Sequence, residues 1–167
     1  MLLDREVAVK ILHLNGGRKH AIDDGQNEEL VDRFFKEAKL AAKLNHPNIL
    51  SIHDVGRESD EVCFLVSELL EGQSLEARLA QGPLSLSETL EMMGQVASAL
   101  LEAHQRQIIH RDIKPANIYL QEIRGGARAK LLDFGIAKAL FETSYTLTEQ
   151  TMGTPYYMSP EQIKSTK

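Results

Sequence analysis

Apolar and polar positions alternate first between Glu6 and Leu14, where the β-branched run Val7-Ala8-Val9-Lys10-Ile11 predicts a strand with Ala8 and Lys10 on one face. Asn15 to Gln26, with Gly16, Gly17 and Gly25, predicts a polar loop. Asn27 is a helix cap followed by Glu28 and Glu29, and the predicted helix runs to about Leu44 with Leu30, Phe34, Ala38 and Ala41 as its buried stripe. Asn45-His46-Pro47-Asn48 stops it, because a residue before proline avoids the helical region. A strand at about Ile49 to Val55, a turn from Gly56 to Asp60 and a buried strand in Val62-Cys63-Phe64-Leu65-Val66 follow. A short connection leads to a small helix from Ser74 to Gln81, ended by Gly82-Pro83. Ser85-Leu86-Ser87-Glu88 is a capping box that opens the longest helix, with Leu86, Leu90, Met93, Ala97, Leu100 and His104 at helical spacing. Short apolar pieces come next: Ile108-Ile109, Ile118-Tyr119-Leu120 and Lys130-Leu131-Leu132, with Gly125-Gly126 as a hairpin turn between the last two. Ala139 to Lys167 carries no period, as expected of a functional or disordered loop.

Composition narrows the class. A chain of 167 residues, 43% apolar and 26% charged, suits one domain or a large piece of one. A net charge of −5 supplies no basic field for a polyanion, so nucleic acid is not an expected partner. Cys63 is the one cysteine and no metal-ligand spacing accompanies it, which favours a reducing compartment without disulfide or structural zinc. No apolar run reaches the roughly 20 residues of a membrane span, and Met1-Leu2-Leu3 meets Asp4 too soon for a signal peptide. A cytoplasmic chain is therefore expected, although a longer parent could be tethered by a segment outside it.

The densest polar cluster is His110-Arg111-Asp112-Ile113-Lys114-Pro115-Ala116-Asn117, lying between apolar pieces and followed by Asp133-Phe134-Gly135. Phosphoryl transfer needs a base or orienter for the attacking hydroxyl, a cation for phosphate charge, and oxygen ligands for Mg²⁺. Asp112, Lys114, and Asn117 with Asp133 supply these three types. The structural alternative is an Asx-rich turn bearing surface charge.

Here the chain resembles the serine/threonine protein kinases of the eukaryotic-like, bacterial type. Val7-Ala8-Val9-Lys10, the His110–Asn117 segment, Asp133-Phe134-Gly135 and Gly153-Thr154-Pro155-Tyr156-Tyr157-Met158-Ser159-Pro160-Glu161 occur in the family's order. The resemblance implies an α+β, two-lobe kinase fold: residues 1–66 as a small β lobe with one helix, 67–73 as hinge, and 74–167 as the start of a helical lobe. It implies ATP and Mg²⁺ as cofactors and a protein substrate bearing Ser or Thr. Lys10 would hold the α- and β-phosphates, with Glu37 as its helix partner; the plainer alternative for Glu37 is a solvated helix carboxylate. Asp112 would be the catalytic-loop base, Lys114 its phosphate-stabilising neighbour, and Asn117 and Asp133 the metal ligands. Arg111 would neutralise a phosphorylated activation loop, for which Thr146, Thr148 and Thr151 are candidate acceptors. Thr154 would lie at the substrate-docking position. His110 would pack beneath the loop. Glu68 and Leu70 would bind adenine through their backbone, Ser67 would be a small gatekeeper leaving room for bulky inhibitors, and Ala8 and Tyr119 would sandwich the purine or simply be core.

Only six residues precede Val7, where the family carries a glycine-rich loop on two further strands, and several family helices follow the Ser-Pro-Glu segment. The expectation is thus a kinase domain truncated at both ends and short of its phosphate loop. Its alternatives are an impaired fragment that binds nucleotide or docks on a partner, and an unrelated phosphate-binding α+β domain.

Overall fold

The computed structural model describes residues 5–13, 24–59, 62–134 and 155–164. Strands β1 (Val7–His13), β2 (Ile52–Ser59) and β3 (Val62–Glu68) form an antiparallel sheet in the order β1-β3-β2. The central strand is the most buried, with Cys63, Leu65 and Ser67 all turned to the interior face. Ala8 lies opposite Ser67 and Lys10 opposite Leu65, so the pleat puts both β1 residues on that same face, as the alternation predicted. Helix α1 (Asp24–Ala41) buries Val31, Phe34, Ala38 and Ala41 in one cluster with Cys63 and Leu65. The side chain of Leu30 lies outside the described residues.

The bounds of two elements differ from the sequence reading. Helix α1 begins at Asp24 and ends at Ala41, and β2 runs on through Gly56 to Ser59 rather than turning there. Gly56 pairs with Phe64, and a Cβ at position 56 would stand 2.2 Å from the Phe64 ring. The glycine that suggested a turn makes room for a cross-strand aromatic instead.

The second sheet, β4-β5-β6, holds β4 (Gly72–Ser74), β5 (Ile118–Ile123) and β6 (Gly126–Leu131). Strand β4 was not foreseen, being three residues long and without an apolar run. Helix α2 (Leu75–Leu79) is capped by Ser74, whose Oγ accepts the Ala77 N–H at 3.1 Å. Helix α3 (Leu86–Gln105) has the expected capping box: the Glu88 N–H donates to Ser85 Oγ and the Ser85 N–H to Glu88 Oε2. Its core face is Val96, Ala99 and Ala103, while Leu86, Leu90 and Met93 of the regular apolar stripe are exposed, Leu86 by 76%. Ile108-Ile109 forms no strand. A 3₁₀ turn at Pro155–Tyr157 and a short helix α4 (Pro160–Lys164) close the described chain.

The halves are joined at Asn48–Leu50. Leu131 N–H donates to Asn48 O at 2.8 Å and Leu50 N–H to Leu131 O at 2.9 Å, while Asn48 Nδ2 reaches Gln95 Oε1 and Ala129 O. Among the described residues, no helix is long and apolar enough to cross a membrane.

Candidate active site

The β5–β6 hairpin explains why residues sixteen positions apart converge. Ile118 pairs with Leu131, so Asn117, just before β5, and Asp133, just after β6, emerge at the same end of two antiparallel strands. Leu132 N–H donates to Asn117 O at 2.9 Å and extends that pairing. From the first sheet, Lys10 Nζ reaches Asp133 Oδ2 at 2.8 Å. Lys10 and Asp133 therefore stand together at the junction of the two sheets.

Asp112 is held within its own loop. Asp112 Oδ2 lies 2.9 Å from Lys114 Nζ and accepts Asn117 Nδ2 at 2.7 Å, and the same amide donates to Asp112 O at 2.8 Å. Both of these partners are acceptors, which fixes the amide orientation of Asn117 and turns its Oδ1 away from Asp112. His110, 1% exposed, braces the loop from below. Its Nε2–H donates to Leu132 O at 2.8 Å, its Nδ1 accepts the Asp112 N–H, and its ring lies against Phe134. Burial pushes the His110 imidazole below its ordinary pKa, against the opposing pull of the Leu132 carbonyl and the Asp112 and Asp133 carboxylates. The sequence reading of His110 as packing beneath the loop matches this position.

Two residues adopt positive φ here, Arg111 at 64° and Asp133 at 47°. Such conformations are uncommon outside glycine and concentrate where the surrounding structure over-determines them. Arg111 is exposed, and its carbonyl accepts Gln162 Nε2 from α4 at 2.8 Å.

Glu37 sits half-buried on α1, with Oε2 fully buried. A Lys10–Glu37 ion pair is not among those of the described residues, where the Lys10 ammonium contacts Asp133. Ala8 and Leu70 are half-buried, and Ser67 is buried with its hydroxyl donating to Glu68 O at 3.2 Å. Tyr119 donates its hydroxyl to Gly72 O at 2.7 Å. Thr146, Thr148, Thr151 and Thr154 lie outside the described residues.

Sequence reasoning missed Lys130. Its ammonium, on a residue only 5% exposed, is 2.6 Å from Glu68 Oε1, which also accepts the Ser51 N–H at 2.7 Å. Burial works to raise the Glu68 carboxyl, but the Lys130 and Ser51 hydrogen bonds and the Lys130 charge together hold it below the usual glutamate value. The signal available was a lysine inside the apolar run Ala129-Lys130-Leu131, where a charge without a partner would be costly. Asn48 and Gln95 were missed too, for want of any periodic mark.

The donor set suits a hard cation. Asn117 offers an amide oxygen and Asp133 a carboxylate, with no cluster of three or more His, Cys, Asp or Glu among the described residues. Two oxygen side chains fit Mg²⁺, which keeps waters and takes phosphate oxygens for its remaining positions.

Residues 3–167 match the protein kinase domain family. The serine/threonine-protein kinase PrkC of Bacillus subtilis is 44% identical over 165 residues, covering 98% of this chain and 24% of that protein. The serine/threonine-protein kinase PknA of Mycobacterium tuberculosis is 39% identical over 165 residues, covering 96% of this chain and 36% of that protein. The crystal structure of the Mycobacterium tuberculosis PknI kinase domain superposes with a TM-score of 0.61 at 32% identity, covering 78% of this chain and 49% of that one. The chain thus spans about half of a solved kinase domain and a smaller share of the curated relatives. With a family match along nearly its whole length and an α+β architecture akin to solved kinase domains, the chain belongs to the protein kinase domain family.

Proposed function

We propose that the chain serves ATP-dependent transfer of a phosphoryl group to serine or threonine hydroxyls of proteins. The observation that carries this reading is the meeting of Lys10 with Asp133 beside the hairpin that also presents Asn117, itself bonded to Asp112. Residues 1–66 act as the small lobe, 67–73 as hinge and 74–167 as the first part of the helical lobe.

Bound Mg²⁺·ATP supplies the γ-phosphoryl group and neutralises its charge. Asp133 and Asn117 hold the cation, and Lys10 neutralises and orients the phosphates. The Asp112 carboxylate orients the substrate hydroxyl and accepts its proton, while Lys114, bonded to its Oδ2, balances charge developing beside it. Glu37 on α1 is the helix partner proposed for Lys10 in the nucleotide-bound chain, in place of the Asp133 contact. Glu68 and Leu70 meet the adenine through their backbone, with Ala8 and Tyr119 on its two faces and Ser67 at the back. Arg111 receives a phosphorylated Thr146, Thr148 or Thr151, and Thr154 serves substrate docking. A reducing, ATP-rich cytoplasm suits a chain whose Cys63 is a buried free thiol. Its acidic balance disfavours nucleic acid.

Radiolabel transfer from ATP to a basic acceptor protein tests the reading. Asp112→Asn lowers transfer by about a hundredfold or more, as expected for a lost general base. Equal transfer by both proteins would remove Asp112 from the mechanism.

A further inference from the structure

Tyr119 and Lys130 stand directly opposite each other in the β5–β6 register. Both reach the same segment, four residues apart. The Tyr119 hydroxyl donates to Gly72 O at 2.7 Å, with Leu70 O farther off at 3.4 Å, and the Lys130 ammonium binds Glu68 Oε1 at 2.6 Å. Glu68 is fastened a second time, exchanging backbone and side-chain bonds with Ser51: its N–H donates to Ser51 O and its Oε1 accepts the Ser51 N–H. We propose that this cross-strand pair is a clamp, with Tyr119 and Lys130 as positioning residues that fix segment 68–72 relative to the hairpin. The consequence for nucleotide rests on the kinase reading given above.

The physical logic lies in the hairpin. One end of β5–β6 presents Asn117 and Asp133, and its first strands' flank grips segment 68–72 through Tyr119 and Lys130. Adenine recognition and the metal-holding pair Asn117 and Asp133 are then referenced to the same two strands, and the Lys130–Glu68 bond ties the end of β3 in the first sheet to that reference. A desolvated ammonium gives little net stability compared with an apolar residue, but it accepts few geometries, which suits a part that sets position. The Tyr119 hydroxyl adds a directional bond that a purely apolar purine floor could not make.

Hydrogen exchange at the amides of residues 69–72 tests the clamp, together with ATP·Mg²⁺ affinity and steady-state kinetics, for the intact chain and for Tyr119→Phe, Lys130→Met and Lys130→Arg. Tyr119→Phe removes one oxygen and leaves the ring, so folding is retained. It speeds exchange at 69–72 about three- to tenfold, the worth of one hydrogen bond, and raises the ATP KM by a similar factor with kcat within about twofold. Exchange within α3 does not change. Lys130→Met loosens the segment further, and Lys130→Arg, which keeps a donor for Glu68, restores it. If Lys130→Met does not fold, Tyr119→Phe decides alone. Unchanged exchange at 69–72 in Tyr119→Phe overturns the clamp, as does a fall in kcat with KM unmoved. Faster exchange in a chain that binds no ATP leaves the clamp standing and overturns the nucleotide reading instead.

Discussion

Lys10 Nζ and Asp133 Oδ2 meet at 2.8 Å although 123 positions of chain separate them. Their side chains remain 44% and 34% exposed, so water screens the pair and its worth to folding is about 0.2–1 kcal/mol. An ion pair that contributes so little to stability, built from the two most distant parts of the site, fits the phosphate and metal roles proposed for its two members better than a role in holding the fold.

Function and stability should therefore separate at these positions. Lys10→Ala and Asp133→Ala each lower the melting temperature by no more than a few degrees, as expected for about 1 kcal/mol or less in a chain of this size. The stabilisation that ATP·Mg²⁺ gives the parent chain, which grows with the logarithm of ligand concentration, is lost in both. A melt series across ATP·Mg²⁺ concentrations reads both quantities. A full ligand response in Asp133→Ala would exclude that carboxylate from the nucleotide site.

The His110 tautomer gives the fold a pH dependence of definite sign. With Nε2–H donated to Leu132 O and Nδ1 accepting the Asp112 N–H, the neutral ring satisfies both partners, and a second ring proton would oppose the Asp112 N–H. Burial lowers the folded pKa below the ordinary 6.5. Above that value His110 is neutral in folded and unfolded chains alike and its contribution is fully present. Below it the unfolded chain binds the proton first, so stability falls as pH drops toward the folded pKa, by at most about 1.4 kcal/mol per pH unit for one group. Glu68, also depressed, acts in the same direction but only below the ordinary carboxylate value of 4.5. Urea unfolding at pH 7.5, 6.5 and 5.5 should show the loss, and His110→Gln should flatten it in that range.

The parts of the site carried by contiguous motifs were legible because local chemistry fixed them. A strand alternation put Ala8 and Lys10 on one face, and the capping box located α3 to the residue. The hairpin at Gly125-Gly126 could be read from turn chemistry, whereas Asn117 and Asp133 were paired by their oxygen donors and motifs, and the hairpin register supplies the reason they converge. What escaped depends on long-range contacts that leave no period. The apolar run around Lys130 hints at a buried cation, but its partner Glu68 comes from far along the chain, and β4 exists only because β5 offers Gly72 to Ser74 a partner. Gly56 misled for the same reason: its meaning is set by Phe64 across the sheet. The apolar stripe of α3 marked the helix, but nothing in its spacing told that the core contacts come from Val96, Ala99 and Ala103 while Leu86, Leu90 and Met93 stay exposed.

Gly72 admits no side chain. Its φ of 133° is a region essentially reserved for glycine, and a Cβ there would stand 2.1 Å from Leu120 O on the neighbouring strand. Gly72→Ala must both leave its backbone conformation and push β4 from β5, where three paired residues hold it. The backbone strain alone is about 1–3 kcal/mol. A lower urea midpoint with an unchanged slope checks the prediction, and unaltered stability would contradict the Gly72–Leu120 approach. Because Gly72 O also receives the Tyr119 hydroxyl, the variant should weaken ATP·Mg²⁺ binding beyond what its lower stability explains.

Gln107 offers the opposite opportunity. It follows the C-cap Arg106 of α3 with φ at 60°, its N–H donating to His104 O, while the Ile108 N–H reaches back to Ala103 O. These paired bonds form a Schellman ending, whose left-handed position is ordinarily glycine. The Gln107 side chain is exposed, so the left-handed backbone has no packing to offset it. Glycine relieves about 1–2 kcal/mol of left-handed strain and returns about 0.5–1 kcal/mol through the freer unfolded chain. Gln107→Gly should gain about 0.5–1 kcal/mol, or roughly 1–4 °C in melting temperature for a domain of this size. Phosphoryl transfer should be unaffected, because Gln107 is exposed at the end of α3 and is not one of the proposed site residues. A lower melting temperature would show that the helix does not end in this geometry in solution.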